Sequence, residues 1–535
     1  MTRPRSVMGG RLILVGAGPG DPDLITVRGA AALRRADVVL FDELASEELL
    51  SLLPAHAEKI NVGKRGHDPP TRSQDDINRL IVEKAQTGKT VIRLKGGDPF
   101  IFGRGGEEAS ACVSAGVPFE VIPGVTSALA APAYAGIPLT DRRYSASFAV
   151  VTGHNDPGKA AEGIRWRALG NSVDTLVILM GMRNLRSLLV ELVDGGTAPE
   201  TPAAAVMNGT RPEQKVKVAT VSTLADVVEA ASIKAPSVVV VGEVASLREE
   251  LSWWEESPLF GLGALVSRAP HQAGELASAL RAAGAVPSIR PLIDLVPTEA
   301  PADLVAIDNC LAGLHLYDDV VFSSSNSVRF FIHHLERNGL RGALGNFSAR
   351  VLCIGAATSS AAMDEGLPVH FVLPGGQGDA ESMLAEIIRS LTPANRRMLI
   401  PQSNIARDVL SQGLSEAGAD VDAIVFYRNL RPDVDVDALR KDLVAGDLPL
   451  LFFTSPSAVR NFSELLDEPS RTAAERCIIA AVGTTTAQAL SAAGLPAQVV
   501  PGRPDVREMV AAVEAYVAQE RGSASLSTLA EKEES

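Results

Sequence analysis

The sequence predicts an α/β protein built in two halves, and three observations carry that expectation. Over the first 250 or so residues, short β-branched runs alternate with amphipathic stretches, the pattern of βαβ units around a largely parallel sheet. A charged stretch holding two tryptophans, SLREELSWWEESPLFG (246–261), then interrupts the alternation. Beyond it the sequence repeats itself: VFSSSNSVRFF (321–331) matches FFTSPSAVRNF (452–462). Length agrees, since 535 residues at about 150 per domain allow two to four units.

The elements follow in order. RLILVGAG (11–18) reads as strand then turn, ITVRGAAALRRA (25–36) as helix and DVVLFD (37–42) as strand. SQDDINRLIVEKAQTG (73–88) reads as a helix, with Ser73 as N-cap, Asp76 three residues on and Gly88 as C-cap. TVIRLKGGDPF (90–100) runs from strand into loop, and further strands are expected at 147–153, 175–181 and 237–243. Trp253 and Trp254 are read as bracing the junction between halves. The polar residues 521–535 are expected to be a disordered tail.

In the second half, CIGAATSSAAMDEGLP (353–368) matches AVGTTTAQALSAAGLP (481–496), and LVSRAPHQAGELASALRAAGA (265–285) resembles LIPQSNIARDVLSQGLSEAGA (399–419). Three matched blocks in one order imply two similar α/β lobes rather than a solenoid of short repeats. A cleft between lobes is a natural ligand site.

Composition narrows the function. At 46% hydrophobic and 21% charged residues the chain is globular rather than disordered. A net charge of -14 without any Lys/Arg run argues against nucleic acid or an anionic membrane surface as partner. Cys112, Cys310, Cys353 and Cys477 lack CxxC spacing and read as buried free thiols. His271, His315, His333, His334 and His370 lack metal-ligand spacing, so no metal is expected. With neither a leader pattern nor about 20 uninterrupted apolar residues, the expectation is a cytoplasmic protein with no membrane association.

Three glycine-rich loops carry the chemistry. GAGPGD (16–21) follows the first strand, but its spacing is GxGxG and Pro19 offers no N–H to a pyrophosphate. Asp21 and Asp23 follow where a phosphate would need free amides, so a nicotinamide dinucleotide is not expected. An adenosyl group or flat organic substrate fits better, and a plain tight turn remains open. In RLKGGDPFIFGRGGEE (93–108), Gly96 and Gly97 let backbone approach a ligand, and Asp98 at the sheet lip can accept hydrogen bonds or face a sulfonium. PGVTSALAAPAYAGIPLTDRR (123–143) adds Thr126 and Ser127 at a helix start.

Those stretches, with VVLFDEL (38–44), NVGKR (61–65), VTGH (151–154), ILMG (178–181), NGTRPEQ (208–214) and VVVVGEV (238–244), occur in the order shown by uroporphyrinogen-III C-methyltransferases. Residues from about 11 to 255 thus resemble the tetrapyrrole methylases, with their two-lobed methylase fold. The resemblance implies two methylations of uroporphyrinogen III by S-adenosyl-L-methionine, giving precorrin-2. It places methyl-donor contacts at Pro19, Gly96, Gly97, Asp98, Ile101, Thr126, Ser127, Met180 and Gly209, and an acid/base pair at Asp42 and Lys64. It also suggests a homodimer through the methylase half. An octa-anionic substrate needs a basic rim, for which Lys64, Arg65, Arg72, Arg104, Arg142 and Arg143 are candidates. The chain departs from the family pattern at Phe41, Glu43 and Asp141, the last where a histidine is usual.

The second half, about 262–515, resembles uroporphyrinogen-III synthase through LVSRAP, VFSSSNSV, CIGAATSSAAMDEGLP, VFYRNL, LFFTSPSAVRNF and AVGTTTAQAL. The resemblance implies a bilobed α/β fold that dehydrates and cyclises hydroxymethylbilane. It makes Tyr427 a phenol assisting the departing hydroxyl, and Thr454 and Ser455 substrate contacts. Plainer readings stay open: a strand-end ring for Tyr427 and a capping turn for Ser455. The expected organisation is a methylase domain at 10–250, a linker at 251–261 and a synthase domain at 262–517, a bifunctional enzyme of sirohaem and cobalamin precursor synthesis. The alternative is a methylase of another tetrapyrrole joined to a non-catalytic tetrapyrrole-binding module.

Overall fold

A computed structural model describes residues 9–42, 47–54, 56–63, 73–153, 164–373 and 380–533. It divides into two compact units: Met1–Gly263 with Ser278–Pro287 and Glu514–Ser535, and Ala264–Ala277 with Ser288–Val513.

The first unit is built on two five-stranded sheets. β1 (Arg11–Gly16), β2 (Val38–Phe41), β3 (Glu58–Asn61), β4 (Thr90–Lys95) and β5 (Phe119–Ile122) form a parallel sheet in the order β3-β2-β4-β1-β5. β1 is buried from Leu12 to Gly16, as suits a central parallel strand covered on both faces. Gly16 pairs with Lys95 and Val15 with Ile122, so β1, β4 and β5 end level and their following loops emerge together. The helix Gln74–Gln86 opens on the expected capping box of Ser73 and Asp76, and the chain leaves it through Thr87 and the left-handed Gly88.

β6 (Phe148–Thr152), β7 (Thr175–Leu179), β8 (Pro202–Met207), β9 (Lys215–Thr220) and β10 (Ser237–Val241) make the second sheet, ordered β6-β7-β10-β8-β9. Only β6 and β7 run parallel; the other pairings are antiparallel. The largely parallel arrangement expected from the alternation therefore holds for the first sheet and not for the second. β8 escaped the sequence reading because PAAAVM carries alanines where β-branched residues signal a strand. Burial of Ala203, Ala204, Ala205 and Val206 is what makes it one.

The second half carries β11 (Gly263–Val266), β12 (Val286–Ile289), β13 (Asp294–Pro297), β14 (Asp319–Phe322), β15 (Arg350–Cys353), β16 (Val369–Val372), β17 (Arg397–Ser403), β18 (Asp420–Leu430), β19 (Leu450–Phe453) and β20 (Ile478–Ala481). They form a four-stranded sheet, β12-β11-β19-β20, and a six-stranded one, β13-β18-β17-β14-β15-β16. The repeat is visible in three dimensions. β14, the helix Ser325–Arg337, β15 and the helix Ala356–Asp364 are echoed by β19, Pro456–Leu465, β20 and Thr484–Ala492. Ser324 and Ser455 cap their helices in the same extended conformation. Each lobe packs its own apolar core, around Phe322, Phe331 and Phe426 in one and Phe453 and Phe462 in the other.

The last helix runs Val506–Glu533. It is anchored by the buried Met509, Val510 and Val513. All four cysteines are buried free thiols. Among the described residues no helix is long and apolar enough to cross a membrane.

Candidate functional sites

The first site grows from the level ends of β1, β4 and β5. Gly18 and Gly97 exchange backbone hydrogen bonds, tying the first glycine loop to the second. A Cβ on Gly16 would fall 2.4 Å from the Gly124 Cα, and one on Gly124 2.3 Å from the Gly97 oxygen, so three loops meet backbone on backbone. Gly97 has φ +67 with its open side 3.7 Å from the Thr126 Cα. Asp98 lies between loops: Oδ1 accepts from the Phe100 N–H at 2.8 Å and Oδ2 from the Gly124 N–H at 3.0 Å. Thr126 caps the helix Ser127–Tyr134 by accepting from the Ala128 N–H, which puts Ser127 at its first turn.

The second sheet closes the same site. Leu179 pairs with Val238 and Met207 with Ser237, so the residues after β7 and β8 emerge at one edge. Gly209 meets the helix Ser127–Tyr134 so closely that a Cβ there would fall 2.3 Å from the Ala131 Cβ. The Thr210 hydroxyl accepts from the Asp21 N–H at 3.1 Å, and the Tyr134 hydroxyl donates to Asp21 Oδ2 at 3.1 Å. Burial holds the Asp21 carboxyl above its ordinary value. Backbone strain collects here. Phe102, Arg104, Met180, Asn208 and Thr210 are five of the eight non-glycine residues with left-handed φ among the described residues. Such strain persists where surrounding structure enforces it, and functional loops are where it gathers.

The C-terminal end of the helix Ser127–Tyr134 is held by the segment leading out of β10 and by Gln214 before β9. Trp253 Nε1 donates to the Ala133 carbonyl at 3.0 Å, Gln214 Nε2 to Tyr134 at 3.2 Å and Arg248 to Ala135 at 2.6 Å. Those to Tyr134 and Ala135 serve carbonyls at the helix end, while Ala133 also accepts from the Gly136 N–H at 3.1 Å. Trp253 and Trp254 also pack on the Tyr134 ring, with centroids 5.1 and 5.3 Å away.

Beneath β4 lies a charged cluster. Arg93 Nη2 donates to Asp42 Oδ2 at 3.1 Å and its Nε to Glu108 Oε1 at 3.1 Å, while Lys95 Nζ reaches the same Glu108 oxygen at 2.9 Å. Burial, with Arg93 adding to it, pulls the Lys95 ammonium below its ordinary value. Sequence reading singled out Asp42 but neither Arg93, Lys95 nor Glu108. The signal was available: Arg93 and Lys95 sit two apart on a buried strand, hence on one face, and two buried cations need an anion.

Of the remaining expected residues, Lys64, Arg65, Arg72 and Glu43 lie outside the described residues. Ile101 is 44% and Met180 53% exposed, beside the glycine loops. Arg104 pairs with Glu107 through two hydrogen bonds, and Arg142 is exposed. Asp141, the departure from the family pattern, is engaged locally: Arg143 donates to it from its backbone N–H at 2.9 Å and its Nε at 3.0 Å. That pairing holds the Asp141 carboxyl below its ordinary value.

In the second half, Tyr427 stands on β18, 7% exposed and stacked on Phe330 at 4.8 Å. Its hydroxyl lies 3.4 Å from the Ser324 hydroxyl, and burial pushes the phenol pKa up. Thr454 and Ser455 follow β19 in the other lobe, where Ser455 accepts from the Ala458 N–H at 3.2 Å. Tyr427 and the Thr454–Ser455 turn thus belong to different sheets. Gln272 and Asn326 bond the two lobes at 2.9 Å. Ser324, unnoticed in the sequence, is the repeat counterpart of Ser455, and aligning the two blocks singles it out.

The first unit is therefore a two-sheet α/β domain whose glycine loops converge at the strand tips, joined to a bilobed α/β domain with an internal repeat. Residues 11–225 match the family model of tetrapyrrole (corrin/porphyrin) methylases, and residues 274–511 that of uroporphyrinogen-III synthase HemD. The chain is 38% identical to the porphyrin biosynthesis protein HemD of Ruminiclostridium josui, over 90% of this chain and 93% of that one. It is 48% identical to the uroporphyrinogen-III C-methyltransferase of Priestia megaterium, over 44% of this chain and 99% of that one. Among solved structures, the uroporphyrin-III C-methyl transferase of Thermus thermophilus complexed with S-adenyl homocysteine is 38% identical, with a TM-score of 0.39. It covers 44% of this chain and all (100%) of its own. The chain belongs to the family in which a tetrapyrrole methylase is fused to a uroporphyrinogen-III synthase.

Proposed function

We propose that this chain makes two consecutive transformations of one macrocycle. Residues 262–517 dehydrate and close hydroxymethylbilane to uroporphyrinogen III, and residues 10–250 methylate that product twice to precorrin-2. The observation that carries the methylase reading is the convergence of the loops after β1, β4 and β5 on the left-handed Gly97, 3.7 Å from Thr126 at the point where its Cβ would stand. Backbone without a side chain at Gly97 lets a flat adenosyl group approach beside Thr126 and Ser127, with Met180 and Gly209 on the facing edge. S-adenosyl-L-methionine supplies a methyl group already activated by positive sulfur.

The chain's own residues then have modest work: align two partners, exclude water and move protons. A pyrrole carbon attacks the methyl, the carbon–sulfur bond breaks and the sulfur leaves as a neutral thioether. The proton displaced from the macrocycle goes to Asp42 or is relayed by Lys64, a step worth about 10²–10⁴ in rate when the groups are well placed. Arg104 and Arg142 serve as contacts for substrate carboxylates.

In the second half, the pyrrole nitrogen lone pair expels the terminal hydroxyl of the bilane, and the Tyr427 phenol donates the proton that lets it leave as water. A phenol is protonated at neutral pH, so the donor is available there, and its place on β18 stacked on Phe330 holds it in position. Thr454 and Ser455 hold the curled chain. The deciding experiment supplies the full chain with hydroxymethylbilane and S-adenosyl-L-methionine and identifies products. Dimethylated type III macrocycle is expected. Only the type I isomer would make the second half a binding module, and failure to methylate supplied uroporphyrinogen III would refute the first.

A further inference from the structure

Asp42 is the most exposed member of an otherwise buried charge cluster, with its side chain 26% accessible against 5% for Arg93, 5% for Lys95 and 0% for Glu108. We infer that Glu108 is a positioning residue for methylation, holding the proposed base Asp42 through the Arg93 guanidinium. The inference rests on the role proposed above for Asp42.

Glu108 Oε1 accepts from Arg93 Nε at 3.1 Å, Lys95 Nζ at 2.9 Å and Gln74 Nε2 at 3.3 Å. Arg93 is fixed at its other positions too: Nη1 donates to the Leu94 carbonyl at 2.9 Å and Nη2 to Asp42 Oδ2 at 3.1 Å. A guanidinium is a rigid planar fork, so fixing one edge fixes the direction of the other. The result is a carboxylate with one oxygen pinned. Asp42 Oδ1, by contrast, is buried and has no hydrogen-bond partner among the described residues.

Stability alone does not account for this cluster. Buried ion networks are often no more stable than apolar side chains of the same volume, because desolvation offsets the Coulomb attraction. Two cations against two carboxylates make the cluster neutral. Without the Glu108 charge, Asp42 becomes the sole counter-ion for Arg93 and Lys95 and is drawn inward, away from the macrocycle. A displacement near 1 Å at a reacting group costs on the order of 10²-fold in rate.

The test uses the full chain carrying Glu108→Gln, Arg93→Lys, Asp42→Asn, or Asp42→Asn with Glu108→Gln. Methylation kcat and KM, S-adenosyl-L-methionine affinity by calorimetry and the synthase rate are measured on each. Glu108→Gln should lower methylation kcat about tenfold to a hundredfold, with methyl-donor affinity and synthase rate held. The double variant should fall no further than Asp42→Asn alone, since both act on one group. Arg93→Lys should lower kcat likewise, because one ammonium cannot serve both carboxylates in the same geometry, and it decides the matter if Glu108→Gln does not fold. Wild-type kcat in Arg93→Lys and Glu108→Gln, or losses that multiply in the double variant, would overturn the inference. Wild-type kcat in Asp42→Asn would instead remove the reading of Asp42 on which it rests.

Discussion

Replacing Asp98 separates two ways in which a carboxylate at the sheet lip can serve a methyl donor. Its oxygens accept from the Phe100 and Gly124 N–H groups at 2.8 and 3.0 Å, fastening the second glycine loop to the third. Hydrogen bonds to a charged group contribute about 1.5–3 kcal/mol each, and the lower figure suits a half-buried site. Asp98→Ala then loses about 3 kcal/mol of loop anchoring, roughly a hundredfold in affinity if the loops must order on binding. Asp98→Asn keeps one accepting oxygen and turns an amide donor toward the other N–H, so a loss near tenfold is the least expected. Calorimetry with both S-adenosyl-L-methionine and S-adenosylhomocysteine provides the control. Anchoring predicts equal losses for the two, whereas direct attraction to a sulfonium penalises only the charged donor. Wild-type affinity in Asp98→Ala, or a loss confined to the charged donor, refutes the anchoring argument.

Other outcomes follow from the same geometry. Gly209→Ala sets a Cβ 2.3 Å from the Ala131 Cβ, so the helix carrying Ser127 must shift at a cost of about 1–3 kcal/mol. Calorimetry should show a lower Tm of the first unit and weaker donor binding, and unchanged values would mean the contact relaxes freely. Tyr427→Phe keeps the ring stacked on Phe330 while removing the proton donor. Ring closure should slow by at least about tenfold with bilane binding and Tm held; an unchanged synthase rate would reject the phenol's role. Asp21, held above its ordinary value by burial, binds more protons folded than unfolded. Its contribution to stability is therefore full below about pH 3.9 and is lost as pH rises through the raised value. Asp21→Asn removes that dependence, so urea titrations from about pH 3.5 upward should show the variant gaining on the native chain; a constant difference across the window would contradict it.

By itself the sequence determined the α/β class, the strand-to-loop transitions at 16–21, 96–98 and 123–127, the capping box at Ser73 and the two-lobed second half. Each is a local property: a glycine where backbone must approach backbone, a hydroxyl three residues before an acid, a block that recurs. Only the tertiary structure decided what those loops enclose. Asp98 is engaged by two backbone N–H groups, Gly209 is small because Ala131 is beside it, and Asp141 is occupied by Arg143. The Arg93, Glu108 and Asp42 cluster joins β4, the helix after it and the end of β2, a relation that chain order does not express. β8 is the converse case, since its alanines carry little strand preference of their own and burial between two neighbouring strands makes them one. Local pattern writes itself into consecutive residues; charge pairing, close backbone approach and burial depend on groups brought together from far along the chain, and folding alone supplies them.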